Sequence, residues 1–151
     1  MIFSKVFSPK SVILNLQSEE KDELFEELVQ AIYTANPTLD REEALASVRE
    51  RESKMSTGIM HSIGVPHGNS KSVKGCIGAV GISRRGIDYD ALDGQPVHFV
   101  FMLICGEGED ELHLEVLKEL AVVLQDKQFI EELRELKDPQ EVYDLLCRSE
   151  Q

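Results

Sequence analysis

Apolar residues in the first third of the chain recur every three or four positions between polar ones, which is the spacing of amphipathic helices. The pattern predicts a helix that begins at Ser18 and ends at the break of Asn36-Pro37. A second helix is predicted from Asp40, whose carboxylate can cap it, to about Lys54. A short strand over residues 11–16 precedes both helices.

The middle of the chain changes to the patterns of β-strands. Strands are predicted over residues 63–66, 73–83 and 96–105, with turn chemistry at Asp93-Gly94 before the last of them. Residues 97–105 are apolar with almost no alternation, so we expect a central strand that is covered on both faces.

The last third of the chain returns to helical spacing. Helices are predicted over residues 112–124, after Asp126 and after Asp138-Pro139, where a capping residue is followed by proline. The order of strand, helices, strands and helices predicts an α/β layered fold with a mixed sheet. The length favours one domain over residues 1–151.

Acidic residues outnumber basic ones by 28 to 16, and the formal charge is −12. This balance disfavours nucleic acid and anionic membranes as partners, because their phosphates attract Lys and Arg. It is compatible with a basic protein partner, and equally with an acidic surface that only aids solubility. The longest apolar run is too short to span a bilayer, so no membrane insertion is expected.

The three cysteines, Cys76, Cys105 and Cys147, form no CxxC pair. Cys76 and Cys105 lie in apolar runs, where a small buried thiol is the ordinary interpretation. The N-terminus also lacks the sustained apolar segment of a secretory signal. We therefore expect a reduced, cytoplasmic protein.

His67 stands between a residue that restricts the backbone and one that relaxes it. Pro66 fixes its own φ and favours extended geometry at the residue before it, so His67 is expected at the end of a strand. Gly68 is expected to let the chain turn away, and it has no side chain to crowd the imidazole. This arrangement indicates a histidine presented to a partner group, which a neutral ring can attack as a nucleophile.

A phosphoryl group accepted by His67 would carry a charge of roughly −1.5 to −2, which other groups must stabilise. Arg51 shares a helical stripe with Ala44 and Val48, and His113 falls in a first helical turn if Asp110 caps that helix. Taken singly, Arg51 is better explained as a helix-terminal arginine and His113 as a core histidine.

Backbone amides are the remaining candidates for stabilising that charge. We expect them to come from Gly68, Asn69 and Ser70, with His61 nearby in the segment that leads to His67. Histidines and carboxylates show no zinc spacing, so we expect no metal and no cofactor.

The chain resembles the IIA component of the fructose/mannitol/nitrogen-regulatory branch of the bacterial phosphoenolpyruvate-dependent sugar phosphotransferase system. The resemblance covers nearly the whole chain. It rests on these segments: Arg51-Glu52, Ser56-Thr57-Gly58-Ile59, Ile63-Gly64-Val65-Pro66-His67-Gly68, Ile87-Asp88-Tyr89-Asp90-Ala91-Leu92-Asp93-Gly94-Gln95-Pro96-Val97 and His113-Leu114.

The resemblance implies a three-layer α/β/α sandwich with a mixed sheet. It implies that His67 is phosphorylated on Nε2 by the phosphohistidine of HPr or of its nitrogen-system counterpart, with Arg51 and His113 as the other active-site residues. The acceptor would be a IIB domain or a regulatory target protein. Met55, Met60 and Ser62 replace residues that are commonly glycine in the family, which puts partner choice and transfer rate in question.

Two branches of the family compete. The sequence shows no IIB-like cysteine loop, and His61 matches a histidine often found in nitrogen-type proteins, so we favour a regulatory IIA protein. The alternative is a stand-alone fructose or mannitol IIA that passes phosphate to a IIB domain. A second alternative, an interaction module that carries no phosphate, fits less well because Arg51, His67 and His113 are all present.

Overall fold

A computed structural model describes residues 1–59 and 62–150. Met60, His61 and Gln151 lie outside the described residues, and His61 is therefore not placed. The helices are α1 (Phe3–Val6), a short 3-10 helix (Pro9–Ser11), α2 (Lys21–Ala35), α3 (Arg41–Lys54), α4 (Asp110–Leu124), α5 (Lys127–Glu135) and α6 (Pro139–Ser149). The strands are β1 (Val12–Ile13), β2 (Gly58–Ile59), β3 (Ile63–Gly64), β4 (His67–Ser70), β5 (Cys76–Ile87) and β6 (Val97–Gly106).

The strands form one mixed sheet in the order β1-β5-β6-β3-β2, and β4 also pairs with β6. β6 runs antiparallel to β5 and parallel to both β3 and β4, so it lies at the centre of the sheet. Every residue of β6 except His98 is buried, as the unbroken apolar run predicts.

Helices cover the sheet on both faces. One buried cluster joins the sheet to α4, α5 and α6 through Val116, Leu120, Phe129, Leu133 and Leu145, among others. The other cluster joins the opposite face to α2 and α3 and includes Leu28, Ile32 and Val48. This is the three-layer α/β/α arrangement with a mixed sheet, and the prediction of the fold is confirmed. Within the described ranges, no helix has the length and apolar character needed to cross a membrane.

Three helix starts are found at the predicted aspartates. The side chains of Asp40, Asp126 and Asp138 each accept a hydrogen bond from a backbone N–H in the first turn that follows. The predicted start at Ser18 is wrong, because α2 begins at Lys21. The Ser18 hydroxyl instead donates to Glu27 Oε1 over 2.6 Å and ties the preceding loop to the helix.

The segment after His67 is a strand and not the predicted turn. Gly68 lies in β4 opposite Ile104 and is not among the glycines with positive φ. Its missing side chain serves close packing, because a Cβ there would lie 2.8 Å from Ser47 Oγ and 2.8 Å from the Val48 backbone nitrogen on α3.

Cys76 and Cys105 are bonded to each other, so the prediction of two free buried thiols is wrong. They face each other across the antiparallel β5–β6 pair. The Gly106 N–H donates to the Gly75 carbonyl, which makes the cysteines a non-hydrogen-bonded pair whose Cα atoms are 4.0 Å apart. The expectation of a reducing compartment, which was drawn from free thiols, loses that basis.

Candidate functional site

His67 is the first residue of β4, and its ring is only partly buried. Its Nδ1 lies 2.9 Å from the carbonyl oxygen of Val65. A carbonyl oxygen can only accept a hydrogen bond, so Nδ1 carries the ring proton and the Nε2 lone pair is left for chemistry. The backbone itself therefore selects the ring form that can act as a nucleophile at Nε2.

His113 lies beside His67. It is in the first turn of α4, where its backbone N–H donates to the Glu109 carbonyl. The two imidazole centroids are 5.1 Å apart, and the ring planes are almost perpendicular. His113 Nε2 is buried and has no hydrogen-bond partner in the described part of the chain. A buried polar atom without a partner is uncommon in folded proteins and requires an explanation.

Arg51 lies in the last turn of α3 and is neither fully buried nor fully exposed. Its Nη1 donates to the Met55 carbonyl over 2.9 Å, which closes the end of the helix. Its positive charge is close enough to His67 to lower the pKa of that imidazole. The structure thus places the rings of His67 and His113 side by side, and it places Arg51 within electrostatic range of His67.

Both site histidines favour the neutral ring. Burial is the largest cause of the lowered pKa of His67; the Val65 carbonyl and Glu52 oppose it, and Arg51 adds to it. Burial also lowers the pKa of His113, the neighbouring His67 lowers it further, and Asp110 acts in the opposite direction. At neutral pH His67 is consequently unprotonated at Nε2, which a nucleophile requires.

One of the backbone amides predicted to stabilise the phosphoryl charge, that of Asn69, already has a partner within the protein. The Asn69 N–H donates to Ser47 Oγ over 2.8 Å, and the Asn69 side chain donates to the Cys105 carbonyl. Ser70 is 1% exposed and shares a hydrogen bond with Ser72. These hydrogen bonds hold β4 against α3 and β6.

Sequence reasoning missed a buried polar cluster beside the site. Glu52, Thr57 and Tyr89 are buried and are joined by hydrogen bonds, and Lys21 forms an ion pair with Glu52 over 3.3 Å. The signal was present, since Glu52 follows Ala44 and Val48 at intervals of four and so lies on the buried stripe of α3. Arg51, placed on that stripe by the sequence analysis, lies next to it.

The fold, with two neighbouring histidines, is that of a IIA component of the bacterial phosphotransferase system. Residues 5–149 match the family described as phosphoenolpyruvate-dependent sugar phosphotransferase system, EIIA 2, and the chain belongs to this family.

Relatives come from both branches of the family. The chain is 34% identical, over 97% of its length, to a fructose-specific EIIABC component of Bacillus subtilis (strain 168), of which it spans 23%. It is 30% identical, over 97% of its length, to a nitrogen regulatory protein of Bradyrhizobium diazoefficiens, of which it spans 95%. The crystal structure of the nitrogen regulatory protein IIA-Ntr from Neisseria meningitidis superposes with a TM-score of 0.88 at 29% identity, covering 97% of this chain and 99% of that one.

Proposed function

We propose that residues 1–151 act as one IIA domain that accepts a phosphoryl group on His67 Nε2 from the phosphohistidine of an HPr-type carrier or of its nitrogen-system counterpart. The observation that carries the proposal is the hydrogen bond of His67 Nδ1 to the Val65 carbonyl, with His113 at 5.1 Å between ring centroids. The bond leaves Nε2 as the one ring nitrogen with a free lone pair.

The transfer is an in-line exchange of one phosphorus–nitrogen bond for another. The lone pair of His67 Nε2 attacks phosphorus while the bond from phosphorus to the donor's imidazole nitrogen breaks, and its electron pair stays on the donor's ring. The proton stays on His67 Nδ1 and keeps its hydrogen bond to the Val65 carbonyl throughout. No proton has to leave His67, so the step needs no general base at this ring.

Arg51 and His113 stabilise the charge that arrives with the phosphoryl group. Arg51 offers guanidinium N–H donors that match phosphoryl oxygens. His113 is neutral in the free protein because burial lowers its pKa, and a phosphoryl anion beside it favours uptake of a proton. His113 Nε2, which has no partner among the described residues, then becomes a charged donor to that anion.

The proposed role is that of a nitrogen-type regulatory IIA protein. The nitrogen regulatory relative matches over 95% of its own length, and the IIA-Ntr structure superposes over almost all of both chains. A fructose or mannitol IIA that passes phosphate to a IIB domain is the second candidate, favoured by the 34% identity to the fructose-specific protein. The proposed compartment is the cytoplasm, because phosphoenolpyruvate is formed there.

The test is incubation with phosphoenolpyruvate, enzyme I and the carrier, followed by intact mass and peptide mapping. Wild-type protein should gain one phosphoryl group on His67, and His67→Ala should gain none. Labelling of the His67→Ala variant, or no labelling of the wild type, contradicts the proposal. Running HPr and the nitrogen-system carrier in parallel, and then offering a fructose-type IIB domain, separates the two roles.

A further inference from the structure

Glu52 is a carboxylate that the proposed phosphotransfer does not use, although it is 6% exposed and follows Arg51 directly on α3. Its Oε2 accepts the backbone N–H of Thr57 over 2.8 Å, and its Oε1 accepts the Thr57 hydroxyl over 2.6 Å. One side chain therefore holds both the backbone and the hydroxyl of Thr57. Charge-assisted bonds to a buried carboxylate are among the stronger hydrogen bonds in proteins.

Thr57 in turn holds the residue that orients His67. The Thr57 carbonyl accepts the Val65 N–H over 3.1 Å, and the Val65 carbonyl accepts His67 Nδ1–H over 2.9 Å. The chain of contacts thus runs from Glu52 through Thr57 and Val65 to the proton-bearing nitrogen of His67. Every link is a hydrogen bond, and the last one fixes both the orientation and the tautomer of the ring.

Tyr89 closes the same cluster from the other side. It is 0% exposed, and its hydroxyl shares a 2.7 Å hydrogen bond with Thr57 Oγ1. Its ring lies so close to β2 and β3 that a Cβ at Gly58 would be 2.8 Å from the ring and one at Gly64 would be 3.0 Å from it. β2, which follows Thr57, and β3, which precedes Val65, are consequently packed against Tyr89 and have little room to shift.

We propose that Glu52 is a positioning residue for the phosphoryl-accepting histidine, acting through Thr57 and Val65 to hold His67 in the Nδ1–H form. The inference rests on the proposed function, since it assigns Glu52 a part in the same transfer. The competing explanation is a buried ion pair with Lys21 that affects stability alone.

The experiment separates the reach of the side chain from its charge. Glu52→Asp keeps the charge but withdraws the carboxylate from Thr57. Glu52→Gln removes the charge but keeps an oxygen that can accept the Thr57 N–H, while its amide can donate to Thr57 Oγ1. Glu50→Gln is the matched control, because Glu50 lies on the same helix, is exposed and pairs only with Lys54 at 3.8 Å among the described residues.

Two quantities are measured on folded protein: the imidazole nitrogen shifts of His67, and kcat and KM for phosphoryl uptake from the carrier. Glu52→Asp should populate both neutral tautomers and lower kcat by roughly 10- to 100-fold, with KM for the donor within about twofold of the wild type. Glu52→Gln should retain the wild-type tautomer and most of kcat, and Glu50→Gln should change neither.

If Glu52→Asp has the same His67 nitrogen shifts and the same kcat as the wild type, the inference is overturned, even where that variant is less stable. Equal losses in Glu52→Gln and Glu52→Asp also overturn it, because charge would then matter more than reach. If Glu52→Asp does not fold, Glu52→Ala, which removes both hydrogen bonds to Thr57, takes its place: a shifted tautomer with a lowered kcat supports the proposal, and a wild-type tautomer with wild-type kcat overturns it. Failure of the wild type to accept phosphate would refute the proposed function, while the tautomer comparison would still decide the part of Glu52.

Discussion

Reduction of the Cys76–Cys105 bond is expected to lower the free energy of unfolding by an amount that follows from the loop it closes. The two cysteines are 29 positions apart in sequence. In the chain-entropy description, a cross-link over a loop of this size lowers the conformational entropy of the unfolded chain. The resulting stabilisation of the folded state is about 3.6 kcal/mol at 25 °C. The paired residues face each other across β5 and β6, so little distortion of the sheet offsets this gain.

The assay is urea unfolding with and without reductant, together with alkylation of the denatured chain before and after reduction. Wild-type protein should expose one alkylatable thiol without reductant and three with it, since Cys147 is the free cysteine of the described residues. Reductant should lower the unfolding midpoint of the wild type and of Cys147→Ser alike, but not that of the double variant Cys76→Ala/Cys105→Ala. Three alkylated thiols in unreduced wild-type protein would refute the pairing, and an unchanged midpoint would refute the magnitude.

Three further results are expected. Arg51→Ala should slow phosphoryl uptake by on the order of 100-fold, because a charged donor to the transferred group is lost, while the unfolding midpoint changes little; an unchanged initial rate would remove Arg51 from the mechanism. The pKa of His113 should rise when His67 is phosphorylated, as followed by NMR titration of both forms; a pKa that stays constant would mean that His113 does not face the phosphoryl group. Because the folded-state pKa of both rings lies below 6.5, the unfolded chain binds more protons, and stability should fall as the pH drops below about 6.5; the double variant His67→Ala/His113→Ala should lose less stability over that range.

Helix ends and the central strand could be predicted because their signals are local. Asp40, Asp126 and Asp138 each cap the helix that follows, and the apolar run of β6 is buried on both faces. β4 could not be predicted in this way, since His-Gly-Asn-Ser has little strand propensity and becomes a strand only by pairing with β6.

The site depends on contacts that are distant in sequence, and spacing alone could not supply them. The proximity of His67 to His113 was expected from resemblance to a family and not from the interval between them. The Cys76–Cys105 pair required the register of β5 against β6, which no local pattern fixes. Glu52 is different, because the sequence alone places it on the same helical stripe as Ala44 and Val48. A carboxylate buried on that stripe needs hydrogen-bond or ion-pair partners, so the cluster could have been predicted.

The reactivity assigned to His67 follows from an interruption in one strand. β3 and β4 pair with β6 in the same register, Ile63 with Phe99 and His67 with Leu103, so they form one strand with a gap at Val65-Pro66. The next pair in the antiparallel β2–β3 register is Thr57 with Val65, and in a continuous ladder these two residues would exchange both backbone hydrogen bonds. Here the Val65 N–H still donates to the Thr57 carbonyl, but the Thr57 N–H donates to Glu52, and the Val65 carbonyl accepts His67 Nδ1–H instead. Pro66 has no N–H, so the gap leaves no backbone donor of this residue without a partner, and the Pro66 carbonyl still accepts the Leu103 N–H. The sheet thus supplies the rigidity of a strand and, at one position, a backbone acceptor that sets the chemistry of the ring.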